Sequence, residues 1–170
     1  MRLLDRLFST RPDPRDELRP LWAQVIALAR DPAWYRDCGV ADTLEGRFDM
    51  VSAVLALVLL RMEAAPALAP RTAPLTEIFV EEMDGQLRQS GVGDLMVGKQ
   101  IGKLMATLGG RVGAYRVALA VGGDEIAQVV HRNITLADES RAEVAAKRLR
   151  ELAAKLAATS DQALMTGDFA

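Results

Sequence analysis

Apolar residues between Val97 and Leu119 recur every three or four positions, which is the period of an amphipathic α-helix. One face of this predicted helix carries eight apolar side chains: Val97, Ile101, Leu104, Met105, Leu108, Val112, Tyr115 and Leu119. The opposite face carries Lys99, Gln100, Lys103 and Thr107. Beside the apolar face runs a row of small residues, the glycine seam, formed by Gly98, Gly102, Ala106, Gly109 and Gly113.

The glycine seam needs an explanation, because each glycine inside a helix costs about 0.5–1 kcal/mol relative to alanine. A second backbone that approaches closely along the seam would offset this cost. Two hypotheses follow. Either a helix of the same chain, with Phe48–Met62 as the candidate, fills the seam, or the seam is open and receives a helix of a partner protein.

A second long helix is predicted from Phe48 to Met62. No charged residue occurs between Met50 and Leu60, and its apolar side chains point in nearly all directions, which is typical of a buried central helix. It is shorter than the roughly 20 residues that a membrane span needs. Asp42 followed by Glu45 resembles a capping box, so we expect this helix to begin near Thr43. We expect the charged residues at its two ends to pair there: Arg47, Asp49 and Arg61.

Further helices are predicted on either side of these two. One spans 16–30 and ends at Asp31-Pro32, and another starts with Pro74 as its first residue. Gly122-Gly123 breaks the chain, and Asp124 is the expected cap of a short helix to about Arg132. A last, exposed helix with a thin apolar stripe is expected over 138–158, followed by a frayed tail over 159–170. This helix either packs loosely or serves as an added contact surface.

No stretch of convincing length alternates with the period of a β-strand. The sequence therefore predicts an all-α fold, an irregular helical bundle around the two long central helices Phe48–Met62 and Val97–Leu119. We divide it into an N-terminal amphipathic segment and hinge (1–14), a helical domain (15–121) and a C-terminal helical extension with its tail (122–170). The segment Met1–Ser9 could dock on the domain or lie on a membrane surface.

Composition excludes several classes of function. The 170 residues carry a net charge of −2 with scattered Lys and Arg, which argues against direct reading of nucleic acid. Cys38 and His131 are the single residues of their types and have no companions for a metal site. No nucleophilic triad or phosphate-binding glycine loop occurs. We expect a protein that is not an enzyme and that needs neither metal nor cofactor, in the reducing cytoplasm.

An elbow is predicted between the helix that ends near Ser90 and the helix that carries the seam. Asp84 and Arg88 stand four residues apart, so a helix places their charges on one face. Gly91 and Gly93 permit positive φ beyond the helix end, and Asp94 is placed to cap the next helix.

Two blocks of residues resemble the signature of the ubiquinol–cytochrome c chaperone family. The first is Gly39-Val40-x-Asp42-Thr43-x-x-Gly46-Arg47-Phe48-Asp49. The second is Met83-Asp84-x-x-Leu87-Arg88-x-x-Gly91-Val92-Gly93-Asp94-x-x-Val97-x-Lys99, followed by Gly110-Arg111-x-x-Ala114-Tyr115. The resemblance covers roughly 21–119. The sequence departs at Gln89 and Ser90, where the family usually has Glu and Met, and at Leu108 and Gly109, where it has aromatic residues.

The resemblance implies a non-enzymatic assembly chaperone that holds newly made cytochrome b, or a related apolar subunit, during assembly of ubiquinol–cytochrome c reductase. It implies the ribosome or a small partner protein as further candidates for partners. Lys99 and Lys103 could stay in water or meet anionic lipid headgroups, and the second case would place the cytoplasmic protein at the inner face of the membrane. It also marks the structural signature Asp42, Gly46, Arg47, Asp84, Arg88, Gly91, Gly93, Asp94, Arg111 and Tyr115.

We assign client binding to the glycine seam, to the lysines beside it and to two aromatic residues: Gly98, Gly102, Gly109, Lys99, Lys103, Trp34 and Tyr35. The alternative function is a carrier of a lipid or quinone-type ligand in a pocket lined by Trp34, Tyr35 and Met105. Arg111 borders the apolar face of its helix, so we expect its stem to be partly covered while its guanidinium pairs with a carboxylate, with contact to the client as the alternative role. The candidates are Asp42, Asp49, Asp84 and Asp94.

Overall fold

A computed structural model describes residues 13–89 and 94–169 of the chain. These residues form eight α-helices: α1 (Arg19–Ala29), α2 (Pro32–Arg36), α3 (Leu44–Glu63), α4 (Thr72–Gln89), α5 (Asp94–Val121), α6 (Glu125–Asn133), α7 (Ala142–Ala158) and α8 (Asp161–Thr166). Within the described ranges, β-structure is limited to one antiparallel bridge between Val40 and Leu136. The prediction of an all-α bundle is confirmed.

Helix α3 is the centre of the bundle, as its uniformly apolar sequence predicts. Every residue from Met50 to Leu59 is buried, and α1, α5 and α7 pack around it. The helix begins at Leu44, one residue from the expected start. Its N-cap is Thr43, whose hydroxyl accepts a hydrogen bond from the Gly46 amide, so the expected cap by Asp42 is wrong. Asp42 instead accepts a bond from Arg47 at 2.7 Å.

The first predicted helix forms near its expected bounds, as a 3-10 turn over Asp16–Leu18 followed by α1, whereas the short helix α2 was not predicted. Leu18, Leu21, Trp22 and Val25 are buried, and the Trp22 ring meets the Phe79 ring edge-on at 6.2 Å. Asp31 caps α2 by accepting a hydrogen bond from the Ala33 amide, and Pro32 is the first residue of α2.

Helix α4 begins earlier than expected. It starts at Thr72, directly after a 3-10 turn over Ala69–Arg71, so Pro74 is its third residue and not its first. A proline is tolerated there because the first amides of a helix have no intrahelical partner to lose.

The C-terminal part packs firmly, so the prediction of a loose last helix with a frayed tail is wrong. On α7, Ala145, Ala146, Leu149 and Leu156 are buried against the core. Helix α8 follows, capped by Ser160 and ended by Gly167 at φ 74°, and it packs on α1. Leu164 on α8 is fully buried.

Arg61, at the end of α3, links the end of α7 and the start of α8 to the central helix through hydrogen bonds. It donates to the carbonyls of Leu156 and Thr159 and to the Asp161 carboxylate. Gly122 and Gly123, both with positive φ, separate α5 from α6, and the side chain of Asp124 makes no capping bond there, against expectation. The domain boundary between residues 121 and 122 stays a prediction.

Candidate functional site

A long groove, which we call the α4/α5 groove, lies between helices α4 and α5, with Leu59 of α3 at its base. It encloses about 1170 Å³. The α5 side presents the apolar residues Val97, Ile101, Met105, Leu108 and Val112. Gly98 and Gly109 lie on the same side, and Thr76 and Val80 face them from α4. The groove is therefore an apolar channel with two glycines on one wall.

Charged residues form the edges of the groove. The α4 edge is mostly acidic, with Glu77, Glu81 and Asp84 at helical spacing. Arg15 reaches this edge from the start of the described chain and donates to Glu81 at 3.5 Å. On the α5 side, Arg116 pairs with Glu63 at 2.5 Å.

Among the residues that the structure describes, nothing covers the glycine seam. A Cβ added at Gly98, Gly102, Gly109 or Gly113 would meet no described atom within 4 Å beyond the helix itself. Gly98, Gly102, Ala106 and Gly109 are exposed. The hypothesis that Phe48–Met62 fills the seam is therefore wrong, because α3 packs on α5 without bringing any atom within 4 Å of these added Cβ positions. The helix-propensity cost of these glycines is not offset by any contact among the described residues.

The apolar face of α5 is only partly covered. Val97, Leu108 and Tyr115 are buried, whereas Met105 and Leu119 are each 37% exposed. Met105 belongs to the groove. Helix α5 therefore exposes the Met105 side chain next to the glycine seam.

Lys99 and Lys103 are exposed on α5, outside the residues that line the groove. The two aromatic residues assigned to client binding lie elsewhere. Trp34 is 2% exposed, and its indole donates to the Leu28 carbonyl at 2.8 Å. Tyr35 is half-buried and donates to the Ala29 carbonyl at 3.0 Å, and burial raises its pKa. Both rings therefore brace the turn between α1 and α2.

The pocket predicted for a carrier does not form. Tyr35 lines a cleft together with Ile26 and Phe48, whereas Met105 lines the α4/α5 groove. Trp34 is buried beneath the guanidinium of Arg148, whose central carbon lies 4.4 Å from the ring centre. The lipid or quinone alternative loses its structural basis.

A buried ion pair holds α5 against α3. Arg111 donates to the Asp49 carboxylate at 2.5 Å, and both residues are more than nine-tenths buried. The other carboxylate oxygen accepts from the amide and the hydroxyl of Thr135, at 2.9 and 2.7 Å. Asp49 is one of the four expected partners of Arg111. One turn on, Tyr115 is fully buried, which raises the pKa of its hydroxyl.

The remaining signature residues divide into those with visible contacts and those outside the described ranges. Asp84 accepts from Arg88 at 2.7 Å, as the four-residue spacing predicts. Gly46 lies so close to Ala41 that an added Cβ would stand 2.0 Å from the Ala41 carbonyl oxygen. The elbow residues Gly91 and Gly93 lie outside the described residues, as does the side chain of Asp94, although α5 begins at Asp94 as expected.

Two contacts between helices and loops of the bundle were not predicted from the sequence. Thr135 completes the hydrogen bonds of Asp49, and Arg148 pairs with Asp31 while it stacks on Trp34. Both join residues far apart in the chain, so no local spacing announces them. The cap of α8 did carry a local signal, since Ser160 and Gly167 bracket a short apolar stretch.

In the described part of the chain, no helix has the length and apolar character to cross a membrane.

Comparisons with known proteins agree with the motifs. The model of the family described as "Ubiquinol-cytochrome C chaperone" matches residues 36–170, a range that includes the helices after Val121, which the resemblance had left out. A similar solved structure is the crystal structure of the Cbp3 homolog from Brucella abortus. It is 31% identical with a TM-score of 0.81, and the match covers 99% of this chain and 96% of that chain. No curated protein sequence gives a significant match.

Proposed function

The chain belongs to the ubiquinol-cytochrome C chaperone family, and from this premise we propose that it holds a newly made, cytochrome b-like membrane subunit in the α4/α5 groove. Membership in the family supports a role as an assembly factor for ubiquinol–cytochrome c reductase (complex III), with a protein client. The protein acts by binding, without catalysis. The observation that carries the proposal is the open glycine seam beside an uncovered apolar groove.

The chemistry of the client explains why such a seam is useful. Transmembrane helices associate through small residues that let two backbones approach closely. A helix with exposed glycines can therefore imitate a neighbouring membrane helix. The groove supplies the apolar contacts, through Ile101, Met105 and Val112, and the seam allows the close approach.

The size of the groove favours a helix over a small ligand. Small-molecule sites usually measure about 300–1,000 Å³ and bury most of the ligand. The α4/α5 groove is larger and runs along α4 from Thr72 to Arg88, a length suited to several turns of a helix. Binding would follow the helix-in-groove mode, with anchors at intervals of three and four residues.

Two neighbouring glycines of α5 provide a matched test. Gly109 lines the groove and Gly110 does not, yet both are exposed, and a Cβ added at either would meet no described atom within 4 Å. We expect Gly109→Leu to abolish co-purification of the cytochrome b-like subunit, because the leucine occupies the space of the client backbone. Gly110→Leu should retain the subunit. Equal retention by both folded variants would refute the proposed site.

Contact with the membrane surface is a second part of the proposal, because the client is inserted there. Lys99 and Lys103 are exposed on α5 one helical turn apart, and each lysine near an anionic leaflet contributes about 1 kcal/mol. We place the protein at the cytoplasmic face of the membrane on this basis. Reversal of both charges, Lys99→Glu with Lys103→Glu, should weaken sedimentation with anionic vesicles, while Lys147→Glu with Lys155→Glu on α7 serves as the control.

A further inference from the structure

A second cleft, which we call the Arg111 cleft, lies between the start of α3, helix α5 and the segment that follows α6. It encloses about 730 Å³ and shares no lining residue with the α4/α5 groove. Arg111 lines it, is 7% exposed and lies over the Phe48 ring. The apolar lining consists of Leu44, Phe48, Met83, Leu104, Ile134 and Leu136. The cleft therefore combines apolar walls with a buried guanidinium.

Arg111 has hydrogen-bonding capacity that the described protein does not use. A guanidinium carries several N–H groups, and Arg111 donates from Nη2 to Asp49. Its Nε and Nη1 atoms are buried, and neither has an acceptor within the described part of the chain. A buried N–H group without an acceptor is costly, so a ligand that brings an oxygen to this guanidinium removes that cost.

The segment after α6 adds a free strand edge to the same cleft. Val40 and Leu136 form an antiparallel bridge, with main-chain hydrogen bonds on either side of the pair. Main-chain groups alternate in direction along such a pair, so the N–H and C=O of Leu136 point away from Val40. Neither group has a partner among the described residues. An unpaired edge of this kind can accept an added strand.

We propose that the Arg111 cleft binds an extended peptide segment of a partner protein, which adds as a strand along Leu136. One main-chain carbonyl of the peptide accepts a hydrogen bond from Arg111, and an apolar side chain of the peptide packs on Phe48 and Leu104. The cleft would hold only roughly one to two turns of a helix, which favours the narrower extended chain. This site is separate from the α4/α5 groove and does not depend on the proposed function.

Charge favours a peptide main chain over an anion. The titratable residues in the lining are Glu45, Asp49, Glu139, Arg111, Arg132 and His131. Carboxylates outnumber guanidiniums, and Asp49 already pairs with Arg111. A negatively charged ligand would therefore meet an excess of negative charge. A main-chain amide is neutral and offers an N–H donor as well as a carbonyl, so it suits the carboxylates and Arg111 at once.

Peptide binding by the full-length chain tests the site. The probes are hexapeptides with blocked ends and a fluorophore, in which leucine, valine or phenylalanine alternates with threonine. Fluorescence polarisation measures Kd, and NMR shifts of backbone amides locate the contact. We expect a Kd below about 1 mM, with the largest shifts at Thr135 and Leu136. N-methylation of the peptide amides should abolish binding, because it removes the donors that pair with a strand edge.

Three variants separate recognition of the main chain from loss of structure. Leu136→Pro removes the unpaired N–H at a position where an edge strand tolerates proline, and Leu136→Ala keeps it. We expect Leu136→Pro to bind about tenfold more weakly than Leu136→Ala, the loss of one hydrogen bond. Arg111→Lys keeps the charge beside Asp49 but lacks the Nε and Nη1 donors, and should weaken binding by a similar factor. Thermal melting gives the folded fraction of each variant, to which Kd is referred.

Four results would overturn the proposal. The first is no binding of any probe up to about 1 mM, and the second is equal binding by folded Leu136→Pro and Leu136→Ala. Competition by propionate at the peptide's concentration would assign the cleft to a carboxylate. Loss of peptide binding in Gly109→Leu would assign the peptides to the α4/α5 groove. Peptide binding as expected, together with failure of the Gly109→Leu retention test, would keep the Arg111 cleft and reject the client site.

Discussion

Asp49 on α3 accepts hydrogen bonds from Arg111 on α5 and from Thr135 on the loop after α6, so one buried carboxylate joins three separate parts of the chain. Arg111 also lies over the Phe48 ring, at 5.6 Å from its centre. Removal of either charged partner would leave the other buried and uncompensated. This is the arrangement in which a single truncation is most costly.

We therefore expect Arg111→Ala to destabilise the protein by about 3–5 kcal/mol, the usual range for a broken buried pair. In a chain of this size each kcal/mol lowers the melting temperature by roughly 2–4 °C. The control is Arg116→Ala on the same helix, whose pair with Glu63 is about half exposed and worth about 0–1 kcal/mol. Thermal unfolding followed by circular dichroism measures both. If Arg111→Ala melts within a degree of the parent, the anchoring role is wrong.

Local sequence signals predicted the helices and their approximate ends. The uncharged run from Met50 to Leu60 identified the central helix, because a helix that is apolar all round must be buried. Local sequence signals did not identify the N-cap of α3, because two neighbouring residues can both serve as the cap. Asp42 and Thr43 can both cap α3, and the choice falls to Thr43 because Asp42 pairs with Arg47.

Which faces are covered is decided by tertiary packing, and the sequence left this open. The periodicity of α5 is compatible with a filled or an open seam, since both need the same residues on the same face. Trp34 looked like an exposed aromatic contact until Arg148, more than a hundred residues later, was found to cover it. The buried tail was missed for a related reason: six residues of α8 are too few to show a period, although Leu164 is fully buried.

Gly46 tests a close backbone contact. An alanine there would place its Cβ 2.0 Å from the Ala41 carbonyl oxygen, so the start of α3 must shift. We expect Gly46→Ala to lower the free energy of unfolding by about 1–3 kcal/mol, as over-packing usually does. Gly85→Ala, at an open position inside α4, should instead raise it by about 0.5–1 kcal/mol through helix propensity. Urea unfolding of both variants would show opposite signs, and the same sign for both would contradict this account.

Leu164 tests the packing of the C-terminus. Leu164 is fully buried on α8, which packs on α1. We therefore expect Leu164→Ala to lower the free energy of unfolding by about 2–5 kcal/mol, the range for a large cavity in a core. Val117→Ala on α5, where the side chain is 61% exposed, should change stability little. The comparison uses chemical unfolding at one temperature. A neutral Leu164→Ala would restore the view of a frayed tail.

Asp138 gives a pH-dependent contribution. Its carboxylate accepts bonds from the amide and hydroxyl of Ser140, which lowers its pKa below the ordinary 3.8. Because the folded pKa is lower than the unfolded one, the stabilisation is fully present above the unfolded value and is lost as the pH falls through the folded value. We expect Asp138→Asn to reduce the acid dependence of the melting temperature. A titration by NMR that finds the Asp138 carboxyl at or above its ordinary pKa would contradict this.

The variant Gly102→Leu tests whether the glycine seam contributes to the stability of the fold or to the binding of a client. A filled seam would make Gly102→Leu over-packed and would cost roughly 1–3 kcal/mol. Since no atom of the described residues lies within 4 Å of a Cβ added at Gly102, we expect the variant to be as stable as the parent, or more stable by up to about 1 kcal/mol through helix propensity. We also expect it to lose the apolar client, because the leucine blocks the approach of a second backbone. Thermal melting and co-purification are measured on the same preparation. A variant that is destabilised by over-packing, yet retains client in proportion to its folded fraction, would show that the seam is a structural contact and not a binding surface.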